Sequence, residues 1–188
     1  VNAPHARFFK RVVEELRRLG FELTVTSRAY GYLEDVLRML GIKFRSVGVH
    51  GVSLEDKLLF SIKRMKTLLN LVKASPVGVV VSKASPEAAR VGFGLGMPVI
   101  TVYDNEQNEP QCRLTFPLSR CLVVPEVFPQ DKLTLYGGSL AKVVRFRGVC
   151  EVAHLRGFRP NRAVLREVGV GDGERFVVFR SPPYTSSY

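Results

Sequence analysis

Along this chain, segments with a continuous or alternating apolar pattern take turns with segments whose apolar residues recur every three or four positions. Short polar connections separate them. That order restricts the fold more than any other feature, because strand–helix–strand units with short links form a parallel sheet with helices on both faces. Residues 4–19 place Phe8, Phe9, Val12, Val13, Leu16 and Leu19 on one helical face and charged residues on the other. Residues 21–26 then read as a strand, 33–40 as a helix and 42–47 as a second strand. Ser53 is an expected N-cap for a long helix over 54–73, with Glu55 and Asp56 in its first turn.

Pro76 ends that helix. Residues 77–81 are an unbroken apolar run, the pattern of a strand covered on both faces. Ser85-Pro86-Glu87 is a compact helix start, with a capping serine, a proline at the first helical position and an acid in the first turn. The helix is expected to reach Leu95 and stop at Gly96. Strands are expected over 98–103, 121–125, 143–146 and 175–180, with short helices before Pro117 and over 162–168. Gly92, Gly94 and Gly96 spell GxGxG, but late in a helix, so they read as close packing and a C-cap rather than a dinucleotide site. The fold class is therefore α/β, a Rossmann-like parallel sheet. The chain opens on a helix and closes just after a strand, which reads as both ends being cut from something longer.

Of the 188 residues, 46% are hydrophobic and 24% charged, enough for a real core. No run of about 18 uncharged apolar residues occurs and the first residues lack the signal-peptide pattern, so a cytoplasmic protein is expected. Cys112, Cys121 and Cys150 are widely spaced with no CxxC pair, so they read as free thiols, without a zinc site or disulfide framework. No metal or other cofactor is expected. The net charge of +11 favours anionic partners. Arginine outnumbers lysine 19 to 9, a bias compatible with a heat-adapted source. No aromatic–basic interleaving or helix-turn-helix is evident, which leaves nucleic acid as the weaker partner.

In parallel sheets, ligands bind beyond the C-terminal strand ends. The residues there are the candidates. His5 sits at a helix N-terminus, where it can contact an anion, act as a base of lowered pKa or simply cap. Arg28, just after a strand, can pair with a phosphate or equally with a structural carboxylate. His50 lies between two glycines in a loop at the same edge, where it reads first as a solvated loop histidine and otherwise as a binding residue. Ser82, Lys83 and Ser85 precede the helix that opens at Pro86, whose free N–H groups suit a phosphate, although no Walker loop is present. Asp104 and Glu106 flank Asn105 past a buried strand and could serve a sugar hydroxyl, a metal or a proton, or form only a polar loop. Glu151 and His154 would be side by side on a helical turn.

The order of several short motifs also carries a resemblance. These are Asn2-Ala3-Pro4-His5 before a helix, Thr26-Ser27-Arg28, Gly48 to Gly51, Ser82 to Pro86 and Tyr103-Asp104-Asn105-Glu106. The stretch from Gly148 to Leu155 and the final Val177-Val178-Phe179-Arg180 continue it. Together they resemble an uncharacterised, mainly archaeal GT-B-like family. That family is similar to the non-hydrolysing UDP-N-acetylglucosamine 2-epimerases and to GT-B glycosyltransferases. The resemblance implies a Rossmann-like first lobe over 1–150, a hinge over 151–173 and the start of a second lobe over 174–188. It implies a sugar-nucleotide-dependent glycosyltransferase or epimerase-like function, with a nucleotide sugar and an acceptor as partners and room for a homodimer. His5, Asp104 and Glu106 would be catalytic. Asn2, Arg28, His50, Ser82, Lys83, Ser85 and Glu151 would bind substrate. The alternatives are a nucleic-acid or anionic-surface binding module and a non-catalytic partner subunit.

Overall fold

A computed structural model describes residues 3–155 and 157–179, the side chain of His154 excepted. Among these residues, helices and strands alternate as expected for an α/β protein. The strands form two parallel sheets. The first pairs β1 (Thr26–Ala29) with β2 (Arg45–Val49). The second runs in the order β3 (Val80–Ser82), β4 (Val99–Val102), β5 (Cys121–Pro125) and β6 (Lys142–Phe146), all parallel.

The helices are α1 (Ala3–Arg18), α2 (Leu33–Met39), α3 (Leu54–Lys73), α4 (Pro86–Gly94), α5 (Glu109–Thr115), α6 (Gln130–Leu135), α7 (Val152–Leu155) and α8 (Ala163–Glu167). Local chemistry sets the firmest boundaries. Ser53 accepts a hydrogen bond from the Asp56 N–H at 3.0 Å, while the Asp56 carboxylate accepts from the Ser53 N–H, a complete capping box. Ser85 accepts from the Ala88 N–H at 3.3 Å and Pro86 opens α4. Gly96 ends α4 at φ +70°, and the Met97 N–H reaches back to the Gly92 carbonyl.

Gly92 serves packing, as its spacing suggested. A Cβ there would lie 2.8 Å from a Val99 methyl and 3.0 Å from a Val80 methyl, so α4 can rest directly on β3 and β4. The larger core lies on the α4–α6 side of the second sheet. Phe116 sits at its centre, with the rings of Tyr103, Phe128 and Tyr136 at 6.0–6.3 Å and Leu122, Val124 and Leu133 buried around them. A smaller core joins Ala3 and Ala6 of α1 to Leu33, Val36 and Leu37 of α2 and to Ile42.

Three expectations need correction. The early strands begin late: 21–25 and 77–79 are not strand, and Arg28 and Ser82 belong to β1 and β3 rather than to the loops after them. Apolar alternation marks extended chain, but a strand also needs a hydrogen-bonding neighbour, and pairing starts only where the parallel registers overlap. For the same reason Gly48 and Val49 belong to β2 and not to a loop. The strand expected over 175–180 is absent among its described residues. Val177, Val178 and Phe179 are exposed there without a partner strand; Arg180 lies outside the described residues. Helix α6, with only six residues, is too short for its periodicity to have been legible.

Candidate functional site

The C-terminal ends of the strands gather polar groups into two neighbouring clusters. The first centres on Lys83. The turn after β3 is tight: the Ser82 hydroxyl accepts from the Ser85 N–H at 3.2 Å, and Ala84 is fully buried at φ +45°, an unfavourable conformation for a residue with a Cβ. Gln111 of α5 donates to the Ala84 carbonyl and pins the turn from the other side. This geometry drives the Lys83 side chain inward, where it is only 5% exposed, and its Nζ meets Asp104 Oδ2 at 2.7 Å. The same ammonium lies 4.9 Å from the Phe8 ring centroid, a cation–π contact from α1.

Cys150, buried just before α7, donates its thiol hydrogen to Asp104. Burial would push the Asp104 carboxyl up, yet the bonds from Cys150 and Lys83 and the ammonium charge hold it below its usual range. Burial and that same bond to Asp104 push the Cys150 thiol up to about 12, so it is a donor and not a thiolate. His5, in the first turn of α1, is within electrostatic reach of Lys83 and Asp104. Its pKa falls to about 3, chiefly through burial, with Lys83 adding to the drop and Asp104 opposing it. Its imidazole is therefore neutral at pH 7.

The second cluster lies at the ends of β1 and β2. The Tyr30 ring is 4.4 Å from the His50 ring and 5.9 Å from the Arg28 guanidinium carbon. Arg28 Nε and His50 Nδ1 are both buried with no hydrogen-bond partner. Burial, and then the charges of Arg28 and Lys57, lower the His50 pKa. Beneath them, Arg64 of α3 is buried and donates to the Ser27 carbonyl at 2.9 Å and to the Val47 carbonyl, tying β1, β2 and α3 together. Glu87 joins the clusters. It accepts from the Ser85 hydroxyl at 2.8 Å and feels Arg64 and Arg28. Burial opposes its ionisation, but its own N–H, Ser85 and the two arginines outweigh that and keep its pKa low.

The structure thus brings His5, Lys83 and Asp104 together, and Arg28 with His50 beside them. Ser82 and Ser85 act on the turn and the helix cap. Glu106 turns elsewhere: its carbonyl accepts from the Tyr136 hydroxyl at 2.9 Å, and its charge acts on the buried Cys112 thiol. Glu151 is exposed beside Cys150. Asn2 and the side chain of His154 lie outside the described residues. Sequence reasoning missed Phe8, read only as a core-facing residue, and Arg64, hidden among the lysines of α3. It also missed Cys150, read only as a free thiol. None of the three carries a local signal. Among the described residues, no three His, Cys, Asp or Glu side chains gather as a metal site would require, and no helix is long and apolar enough to cross a membrane.

An uncharacterised protein of the archaeon Methanocaldococcus jannaschii is 34% identical over 190 residues, covering 98% of this chain and 55% of that protein. The chain therefore spans about half the length of the curated relative it matches. No solved structure matches it. The model of a protein family of unknown function, DUF354, matches residues 1–188. The chain belongs to the DUF354 family.

Proposed function

We propose that this chain is the first lobe of a GT-B-like, sugar-nucleotide-dependent enzyme, a glycosyltransferase or an epimerase. The observation that carries the reading is the buried Lys83–Asp104 pair beside a neutral His5, at the sheet edge where parallel folds bind ligands. A neutral imidazole at this edge can accept a hydrogen bond from a sugar hydroxyl at pH 7 and orient it. Lys83 and Asp104 set the charge around that ring, Lys83 keeping it neutral and Asp104 opposing it. Arg28 Nε and His50 Nδ1, buried without partners, suit an anionic group of the ligand, in keeping with the net charge of +11. A second lobe, supplied by the rest of a longer chain, would hold most of the nucleotide.

Thermal-shift titration of the full-length protein tests the reading with UDP, UDP-N-acetylglucosamine and other nucleotide sugars, alongside short oligonucleotides. The expected result is a saturable shift with one nucleotide sugar, growing as ln(1 + [L]/Kd), and a weaker shift in Arg28→Ala. A salt-sensitive shift with oligonucleotides alone would overturn it in favour of a nucleic-acid binding module.

A further inference from the structure

The two parallel sheets have the helix layers of a single sheet with a gap between β1 and β3. Helix α4 packs on β3 and against α3, which also packs on β2, while α1 packs against α2, which lies on β1. Right-handed crossovers give that pairing of helices when β1 and β3 are the inner strands. Helix α2 then leads outward to β2 on one face, and α3 and α4 lead the other way on the opposite face. Charge agrees, since Arg28 in β1 acts on Glu87, just past the end of β3. Among the described residues, however, β1 is paired only with β2 and β3 only with β4.

The two inner edges are set up to form a ladder. The Val80 N–H donates to the Pro98 carbonyl on the β4 side, and the Val25 and Ala29 carbonyls accept from the N–H groups of Arg45 and His50 on the β2 side. Backbone groups alternate in direction along a strand. Those of Val81 therefore point away from β4, and those of Thr26 and Arg28 away from β2, into the gap. The layer of α1 is also underfilled. Val80 meets Gly92 of α4, so Val79 and Val81 face the other side of the sheet. They are 43% and 41% exposed there, although 77–81 has the pattern of a strand covered on both faces. Of the six large apolar residues along one side of α1, only Val13 is buried.

We propose that the gap takes an apolar extended segment of the full-length protein, the one preceding Val1, as a parallel strand hydrogen-bonded to both β1 and β3. Nearly half of the archaeal relative lies outside the match, so a longer chain is there to supply it. The choice of segment rests on α1. Its first turns lie at the C-terminal strand edge, where the Phe8 ring meets the Lys83 ammonium, and its last turn leads to the start of β1. A strand that delivers the chain to that first turn runs parallel to β1. With α1 in the layer of α2, a right-handed crossover puts that strand on the side of β1 away from β2, which is the gap. The two sheets then become one, in the order β2, β1, new strand, β3, β4, β5, β6. A β-branched, apolar sequence suits such a position, central and covered on both faces. The strand ends between Arg28 and Lys83, so its last residues join the candidate site.

Residue-resolved hydrogen exchange tests this on the 188-residue chain, the full-length protein and a full-length protein trimmed to begin at Val1. The amides of Thr26, Arg28 and Val81 should exchange at least about tenfold more slowly in the full-length protein than in the other two. Val81→Pro gives a second readout. Proline is tolerated on an edge strand but not on a central one, so the substitution should lower the stability of the full-length protein more than that of the 188-residue chain. Equal exchange in the full-length protein and the 188-residue chain would overturn the proposal, as would an equal loss from Val81→Pro in both. Protection that survives the trimming would overturn it too, by assigning the gap to a later part of the chain. So would a natural protein whose first residue is Val1.

Discussion

His5 shows how much a single side chain can depend on its surroundings. In the folded chain its pKa is held at about 3, against 6.5 for an unperturbed histidine, mainly because burial disfavours the imidazolium. Between those values the unfolded chain binds a proton that the folded chain does not. The stability that the neutral ring confers is fully present above about pH 6.5 and is lost as pH falls toward 3. Urea unfolding followed from pH 7 to pH 4 should therefore show stability falling by up to roughly 1.4 kcal/mol per pH unit from this one group. His5→Asn should remove that part of the slope. His50 is shifted the same way and leaves a residual slope, so the readout is the difference between the two proteins. An identical slope in both would mean that His5 is solvated in the folded chain.

Among the elements, two glycines make opposite uses of close approach. A Cβ on Gly51 would lie 2.4 Å from the Lys57 nitrogen and 2.5 Å from the Asp56 carbonyl carbon, both backbone atoms of the first turn of α3. Backbone cannot yield without moving the helix that carries Arg64. On Gly92 the nearest atoms a Cβ would meet are side-chain ones, the methyls of Val99 and Val80 and the Val80 Cβ, which yield at less cost than backbone. Gly51→Ala should cost about 3 kcal/mol and Gly92→Ala about 1 kcal/mol, the upper and lower ends of the usual cost of overpacking. Chemical denaturation of both variants checks the order; equal costs would show that the loop before α3 adapts. The Gly92 contact was readable from the helix pattern, since a glycine late in a regular helix has few other uses. The Gly51 contact was not, because a glycine beside a histidine in a polar segment looks like any flexible loop. The α3 and α4 boundaries were legible for a related reason: Ser53, Asp56, Ser85 and Pro86 act on backbone groups within three residues of themselves.

For the molecule as a whole, the division into two sheets sets the pattern of local stability. Strands β4 and β5 are hydrogen-bonded on both sides and lie over the aromatic core around Phe116. Strands β1 and β2 form a two-stranded pair, which has little stability of its own and leans on α2, α3 and the Arg64 bonds. Native-state hydrogen exchange should therefore find the amides of β4 and β5 the most protected, and those of β1 and β2 opening at lower free energy. Equal protection would mean that the two sheets open as one unit.

The sequence by itself determined the α/β class, the order of most elements, the capped ends of α3 and α4 and the sheet edge where candidate residues would be found. Each of these follows from periodicity or from chemistry acting over a few residues. Only the tertiary structure decided where strands begin, because that depends on which register a neighbour offers. It also decided that Lys83 turns inward to Asp104, 21 residues away, with Phe8 and Cys150 closing around them. Such contacts join segments whose spacing along the chain carries no trace of their spacing in the fold. A lysine after a strand reads the same whether it reaches into solvent or beneath a strained turn, and burial, which sets the charge of its neighbours, is a property of the packed molecule alone.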